Sequence, residues 1–183
     1  MSVLTGCESD SGSADDSMGV LDASDLEGDG WEISDEGGGT LCGGLSSMIE
    51  SMSGVAEGSE VAFHRGDVTV VSQAWVESPG SGSRRADFDR MRSHANQCGS
   101  GGDVGDHGIS EFEIVEDEPE GFVVHERRTV SGVEGGADQL YFREGSVVGR
   151  VVVVYEEDAP ELIVTDLEDA ARSRAAELAE IGT

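Results

Sequence analysis

Hydrophobic positions change character along the chain. Up to about residue 20 they are scattered among Gly, Ser, Asp and Glu, with no period that a helix or strand would need. A short helical turn is expected near Ser24-Asp25-Leu26-Glu27, which has capping-box spacing, and Trp31 is expected to pack at the edge of the domain. After Gly37-Gly38-Gly39, the residues Leu41, Leu45, Met48, Ile49 and Met52 make a weak helical stripe. Between Ala86 and Cys98 a firmer stripe appears: Phe88, Met91, Ala95 and Cys98 recur at 3-4-3 spacing and share one helix face.

β-branched and aromatic runs fill the remainder. Val61 to His64 and Val68 to Val76 flank Arg65-Gly66-Asp67, which reads as a hairpin turn. As an Arg-Gly-Asp triplet it also invites an adhesion reading, but a turn between two strands is the commoner use. Four more strands are expected, at Glu111–Val115, Phe122–Val130, Gln139–Phe142 and Val147–Tyr155. The last two are joined through Arg143-Glu144-Gly145. Thr165-Asp166-Leu167-Glu168 has the spacing of a capping box and opens a C-terminal helix with Leu167, Ala171, Ala175 and Leu178 on one face. Hairpin, helix, four strands and helix predict an α+β domain. Its antiparallel sheet of about five to six strands packs against two main helices.

Composition divides the chain in the same place. No Lys occurs, and the 11 basic residues are all Arg, beginning at Arg65. Fourteen of the 39 acidic residues precede it, so the first third carries half of the net charge of −28. A charge of this sign repels phosphate backbones and anionic lipid, which disfavours nucleic acid as a partner and disfavours docking on an anionic lipid surface through side chains. No stretch reaches the roughly 18–20 apolar residues of a membrane-spanning helix. A membrane partner would therefore need a covalent anchor.

Cys7 supplies a candidate. Val3-Leu4-Thr5-Gly6-Cys7 has the form of a prokaryotic lipobox, and the polar stretch that follows has the composition of a flexible tether. Only six residues precede Cys7, whereas a signal peptide needs a basic region and an apolar segment of about 7–15 residues. The expectation is a natural start upstream of Met1. The chain then divides into a lipobox remnant (1–7), an acidic tether (8–20) and one domain (21–183). In an exported protein Cys42 and Cys98 are expected to pair, closing a loop worth roughly 3–4 kcal/mol. The rival readings are two buried thiols or a metal pair, although no CxxC or His ligand spacing accompanies either cysteine.

Signals for catalysis are weak. Gly-x-Ser-x-Gly with a plausible triad is missing, and a P-loop is ruled out because it requires Lys. Glu116-Asp117-Glu118 and Glu156-Glu157-Asp158 could pair carboxylates, but charged strand ends explain them as well. Asp103, Asp106 and His107 form a poor cation loop without EF-hand spacing. Trp75, Tyr141 and Arg143 are the residues best suited to line a ligand cleft, and sheet packing accounts for them equally well. No enzyme activity, cofactor or metal is expected.

Leu21 to Trp31 (Leu-x-x-x-Asp-Leu-x-x-x-Gly-Trp), Cys42 in Thr40-Leu41-Cys42, and the helix ending in Gln97-Cys98-Gly99 form a recognisable series. It continues in Arg-Glu-Gly-x-Val-Val-x-Arg-Val from Arg143 to Val151 and closes in an Ala-rich helix with Arg172 and Arg174. Over residues 20–180 it resembles the extracytoplasmic sensor-like domains of actinobacteria, which occur as lipoproteins and as the outer domain of PknH-like receptor kinases. The resemblance implies a fold with a ligand cleft. Together these readings predict a non-enzymatic, lipid-anchored cell-surface module that binds an envelope ligand or a surface protein. The alternative is a soluble acidic cytosolic protein of a salt-adapted organism, with reduced cysteines and an unassigned interaction role.

Overall fold

The computed structural model describes residues 19–34, 40, 42–53, 58–76, 84–99, 108–130, 132–157 and 164–181. Seven antiparallel strands form one sheet: β1 (Glu32–Ser34), β2 (Gly58–Arg65), β3 (Val68–Val76), β4 (Ile109–Glu118), β5 (Gly121–Val130), β6 (Val133–Glu144) and β7 (Val147–Glu156). Their spatial order is β1-β2-β3-β7-β6-β5-β4. Three helices accompany them: α1 (Gly43–Ser53), α2 (Arg84–Gly99) and α3 (Glu168–Ile181). The α+β class is as expected, with seven strands instead of five to six and three helices instead of two. The extra strand is β1, a three-residue edge segment too short to show a period. The extra helix is α1, whose weak stripe buries Leu45, Ile49 and Met52.

Two apolar layers flank the sheet. On one face α1 and α2 bury Leu45, Met52, Phe88 and Met91 against Trp75, Phe122, Tyr141 and Val148. On the other, Leu167 just before α3 and Ala171 and Ala175 within it lie on Val70, Leu140, Phe142, Val151 and Val153. Val20 and Leu21 are fully buried in this second layer. Cys7 and residues 8–18 of the expected 8–20 tether lie outside the described residues, as does the Asp103, Asp106 and His107 loop.

Turn chemistry positions the strands. Gly66 takes φ +61° in the two-residue β2–β3 turn, a conformation Gly adopts without a Cβ penalty. Arg65, first of the Arg-Gly-Asp triplet, donates to the Glu27 carbonyl oxygen at 2.7 Å and lies 4.4 Å above the Trp31 ring. It is thus engaged in fastening the N-terminal segment. The helical turn expected at Ser24–Glu27 is a 3-10 turn, Ala23–Asp25, whose cap is Asp22: its backbone N–H donates to the Asp25 carboxylate at 2.7 Å. Likewise the expected box at Thr165 becomes a 3-10 turn, Val164–Leu167, and α3 proper starts at Glu168.

β6 runs six residues further toward its N-terminus than expected. Gly135, Gly136 and Asp138 lower strand propensity there, but Gly136 has a packing reason. A Cβ on it would stand 2.5 Å from the Tyr155 ring, its cross-strand partner. Gly149 repeats the device beneath Phe142. Each glycine makes the space in which an aromatic ring crosses its neighbour strand.

Candidate functional site

Trp75 and Tyr141, two of the residues expected at a ligand cleft, are buried beneath α1 and α2. The Tyr141 ring stacks on Phe122 with centroids 4.8 Å apart. Its hydroxyl donates to Gln139 Oε1 at 2.6 Å and accepts from Arg150 Nε at 3.2 Å. Arg143 stands apart at the β6–β7 hairpin, where it pairs with Glu120 at 2.7 Å and donates to the Gly145 carbonyl oxygen. The Arg143–Glu120 hydrogen bond, foremost, holds the Glu120 carboxyl below its usual value. The three expected residues therefore do not share an open cleft.

What the sheet carries under α1 and α2 is a row of polar side chains. Arg150 is 1 % exposed, and its Nη1 donates to Gln73 Oε1 at 2.7 Å while Nη2 donates to Gln139 Oε1 at 2.9 Å. Gln73 continues to the Glu60 carboxylate, and Gln139 donates to Glu126 Oε2 at 3.1 Å. Thr40 donates to the same Glu126 oxygen at 2.8 Å. The register explains the row: Glu60 faces Gln73, Gln73 faces Arg150, and Arg150 faces Tyr141 on successive strands. A hydrogen-bonded chain this deep fixes strand register, because sliding any strand by one residue would bury polar groups without partners.

On this side the Cys42–Cys98 disulfide joins the residue before α1 to the last turn of α2, with Cα atoms 6.1 Å apart. Both half-cystines are buried among the helix contacts.

The opposite face carries α3. Among the described elements α3 packs mainly on β7, β6 and β3. Between the start of α3 and β4 sits a cavity of about 90 Å³, lined by Glu116, Glu118, Val123, Leu140, Glu168 and Arg172 among others. Whole small ligands fill pockets of about 300–1,000 Å³, so this one takes a group the size of a side chain. Arg172 is already occupied: it meets Glu168 at 2.6 Å, donates to the Glu120 carbonyl oxygen at 3.3 Å and rests 5.0 Å from the Phe142 ring centroid.

Two residues further along each strand, Val123 and Leu140 give way to the facing pair His125 and Asp138. His125 Nδ1 meets Asp138 Oδ1 at 2.6 Å. With the carboxylate accepting, Nδ1 is the donor. The next facing pair is Arg127 and Gly136, and over Gly136 lies the Tyr155 ring. Tyr155 is 2 % exposed, and its hydroxyl has no hydrogen-bond partner. Burial first, and then the negative charge of Asp138, raise its pKa above the usual phenol value. Arg127 and Glu111, whose charges also act on the phenol, approach each other only to 4.0 Å. His125 and Asp138 carried no sequence motif; only the strand register brings them together.

Among the described residues, no group of three or more His, Cys, Asp or Glu is arranged to hold a metal ion, and no helix is long and apolar enough to cross a membrane. Comparison with protein-family models, curated proteins and solved structures yields no match to this chain.

Proposed function

We propose that the protein is a non-enzymatic binding module of the cell surface, anchored by lipid on Cys7 and sensor-like in role. The observation that carries this reading is the Cys42–Cys98 disulfide. Such bonds form and persist in oxidising compartments outside the cytosol, which supports export. Pairing these two leaves Cys7 as the odd one of three cysteines, within Val3-Leu4-Thr5-Gly6-Cys7. Two acyl chains on a glyceryl thioether provide stable membrane anchoring where one chain gives only reversible binding. The acidic stretch after Cys7 keeps the domain off an anionic bilayer surface. The sensor-like part rests on the Leu21–Trp31 and Arg143–Val151 segments.

Detergent-phase partitioning of the protein made from its own gene tests the anchor. The wild type is expected in the detergent phase with a diacylglyceryl mass on Cys7, and Cys7→Ser in the aqueous phase. An unmodified wild type found in the aqueous phase would overturn it.

A cytosolic acidic protein of a salt-adapted organism is the second reading. It is favoured by the continuation of acidity onto the folded domain, where Glu111, Glu113, Glu116, Asp117 and Glu118 are all exposed on β4. That reading requires Cys42 and Cys98 to be reduced in the cell.

A further inference from the structure

The two helices on the disulfide side are held to the sheet unequally. α2 has 16 residues and buries Phe88, Met91 and Ala95. Its Arg92 reaches the sheet directly: it meets Asp117 at 2.9 Å and donates to the carbonyl oxygens of Glu118 and Gly121. α1 is built more weakly. It has 11 residues, among them Gly43, Gly44 and the four serines 46, 47, 51 and 53, none of them strong helix formers. Isolated helices shorter than about 12–15 residues are marginal in water even with better sequences. Among the described elements α1 leans mainly on α2 and less on β2, with Leu45, Ile49 and Met52 in the layer that holds Trp75 and Met91. Its fastenings gather at its N-terminal end. The Cys42 carbonyl oxygen accepts the first helical hydrogen bond, from the Ser46 N–H at 2.8 Å. Thr40 Oγ1 accepts from the Cys42 N–H at 3.1 Å and donates to the Glu126 carboxylate at 2.8 Å. The disulfide then ties Cys42 to Cys98 in the last turn of α2, joining the weakly built helix to the firmly held one.

We propose that Cys42–Cys98 is a redox latch: oxidised, it keeps α1 closed on the sheet, and its reduction by a dithiol releases α1 alone. Release lifts Leu45, Ile49 and Met52 off the Trp75 layer while α2 stays in place through Arg92 and its own buried face. Local opening of this kind draws on the least stable element of a fold, and α1 is built as one. Both half-cystines are buried, but Cys98 lies in a helix-terminal turn between exposed Gln97 and Gly99. Fraying of that turn, a low-energy motion, brings the bond to the dithiol. A thiolate of the dithiol attacks one sulfur and forms a mixed disulfide, with the other cysteine leaving as thiolate. The second thiol of the reagent then closes on the first and frees the remaining cysteine. Two electrons and two protons pass to Cys42 and Cys98, and the dithiol becomes a cyclic disulfide. The latch goes beyond the binding reading and needs no lipid on Cys7. An exported protein holds α1 closed; a cytosolic one, with reduced cysteines, holds it open.

The test is hydrogen exchange of the full chain, followed by mass for each segment. Three samples are compared: the oxidised protein, the protein treated with dithiothreitol, and the double variant Cys42→Ala with Cys98→Ala, which lacks the bond without any reagent. The readout is the exchange rate of α1 amides relative to α2 amides in the same molecule, a ratio that cancels a general loss of stability. In the reduced protein and in the variant this ratio is expected to rise at least about thirtyfold, the low end of what a disulfide contributes to an opening equilibrium. Amides of β7 from Val151 to Val153 are expected to stay protected, and reoxidation to restore the ratio in the wild type. An unchanged ratio in the variant overturns the latch, as does free exchange of α1 while the bond is intact. Loss of protection in β7 together with α1 overturns it too, and so does a bond that dithiothreitol cannot reduce in the folded chain. An unmodified Cys7 in the aqueous phase leaves this ratio unaffected, so the anchor and the latch fail separately.

Discussion

Gly149 shows how much one missing Cβ determines in this fold. The space above it is filled by the Phe142 ring, and an added Cβ would stand 2.2 Å from the ring's Cζ. Phe142 is fully buried, so the ring has nowhere to retreat. Gly149→Ala is expected to destabilise by about 1–3 kcal/mol, the usual cost of overpacking a core; urea denaturation measures it, and an unchanged midpoint would refute the crossing. The two tyrosines make a second prediction at this scale. Tyr141 and Tyr155 are the only tyrosines in the chain, and burial raises the pKa of both above 10.0. A folded value above the unfolded one means that their contribution to stability is complete below about pH 10 and is lost as pH rises through the raised values. Tyrosinate absorbance of the folded protein should therefore stay flat through pH 10 and appear only beyond it, together with unfolding. A reversible one-tyrosine step near pH 10 would contradict the packing of Tyr155 on Gly136.

At the scale of elements, periodicity was informative where side chains alone choose the structure. The α2 stripe of Phe88, Met91, Ala95 and Cys98 is fully buried, and the β2–β3 hairpin turns at Gly66. The first half of β6 was hidden because glycines serving Tyr155 look like a loop in sequence. For the same reason His125 and Asp138 went unpaired. They stand five residues back from Val130 and five on from Val133, so placing the turn at 131–132 would have put them opposite each other. The Arg150 row was equally illegible, since it joins residues on five strands that only register aligns. The Cys42–Cys98 staple closes a separation of 56 residues, which the chain-entropy relation values at about 4 kcal/mol. Reduction is expected to lower the melting temperature by about 8–16 °C, at roughly 2–4 °C per kcal/mol for a chain of this size. Calorimetry with and without reductant measures this; coincident melts would show that α1 and α2 hold together without the bond.

For the molecule as a whole, charge sets the conditions under which the fold persists. Among the described contacts, nine arginines are engaged with carboxylates, carbonyls or aromatic faces, yet 39 acidic residues against 11 arginines leave a large surplus. Self-repulsion of that surplus destabilises the compact state and is screened by salt: the Debye length falls from about 10 Å at 0.1 M to about 3 Å at 1 M. The melting temperature is expected to rise between those concentrations; a fall would place the dominant electrostatics in the ion pairs instead.

The tether, the staple and the odd cysteine meet in one account of where the protein works, and counting thiols tests it. Protein isolated from its own cells without reductant is alkylated under denaturing conditions, and labelled cysteines are located by mass. The account predicts no label on any of the three cysteines before reduction, and label on Cys42 and Cys98 alone afterwards. Label on Cys42 and Cys98 before reduction would contradict it, as would label on Cys7.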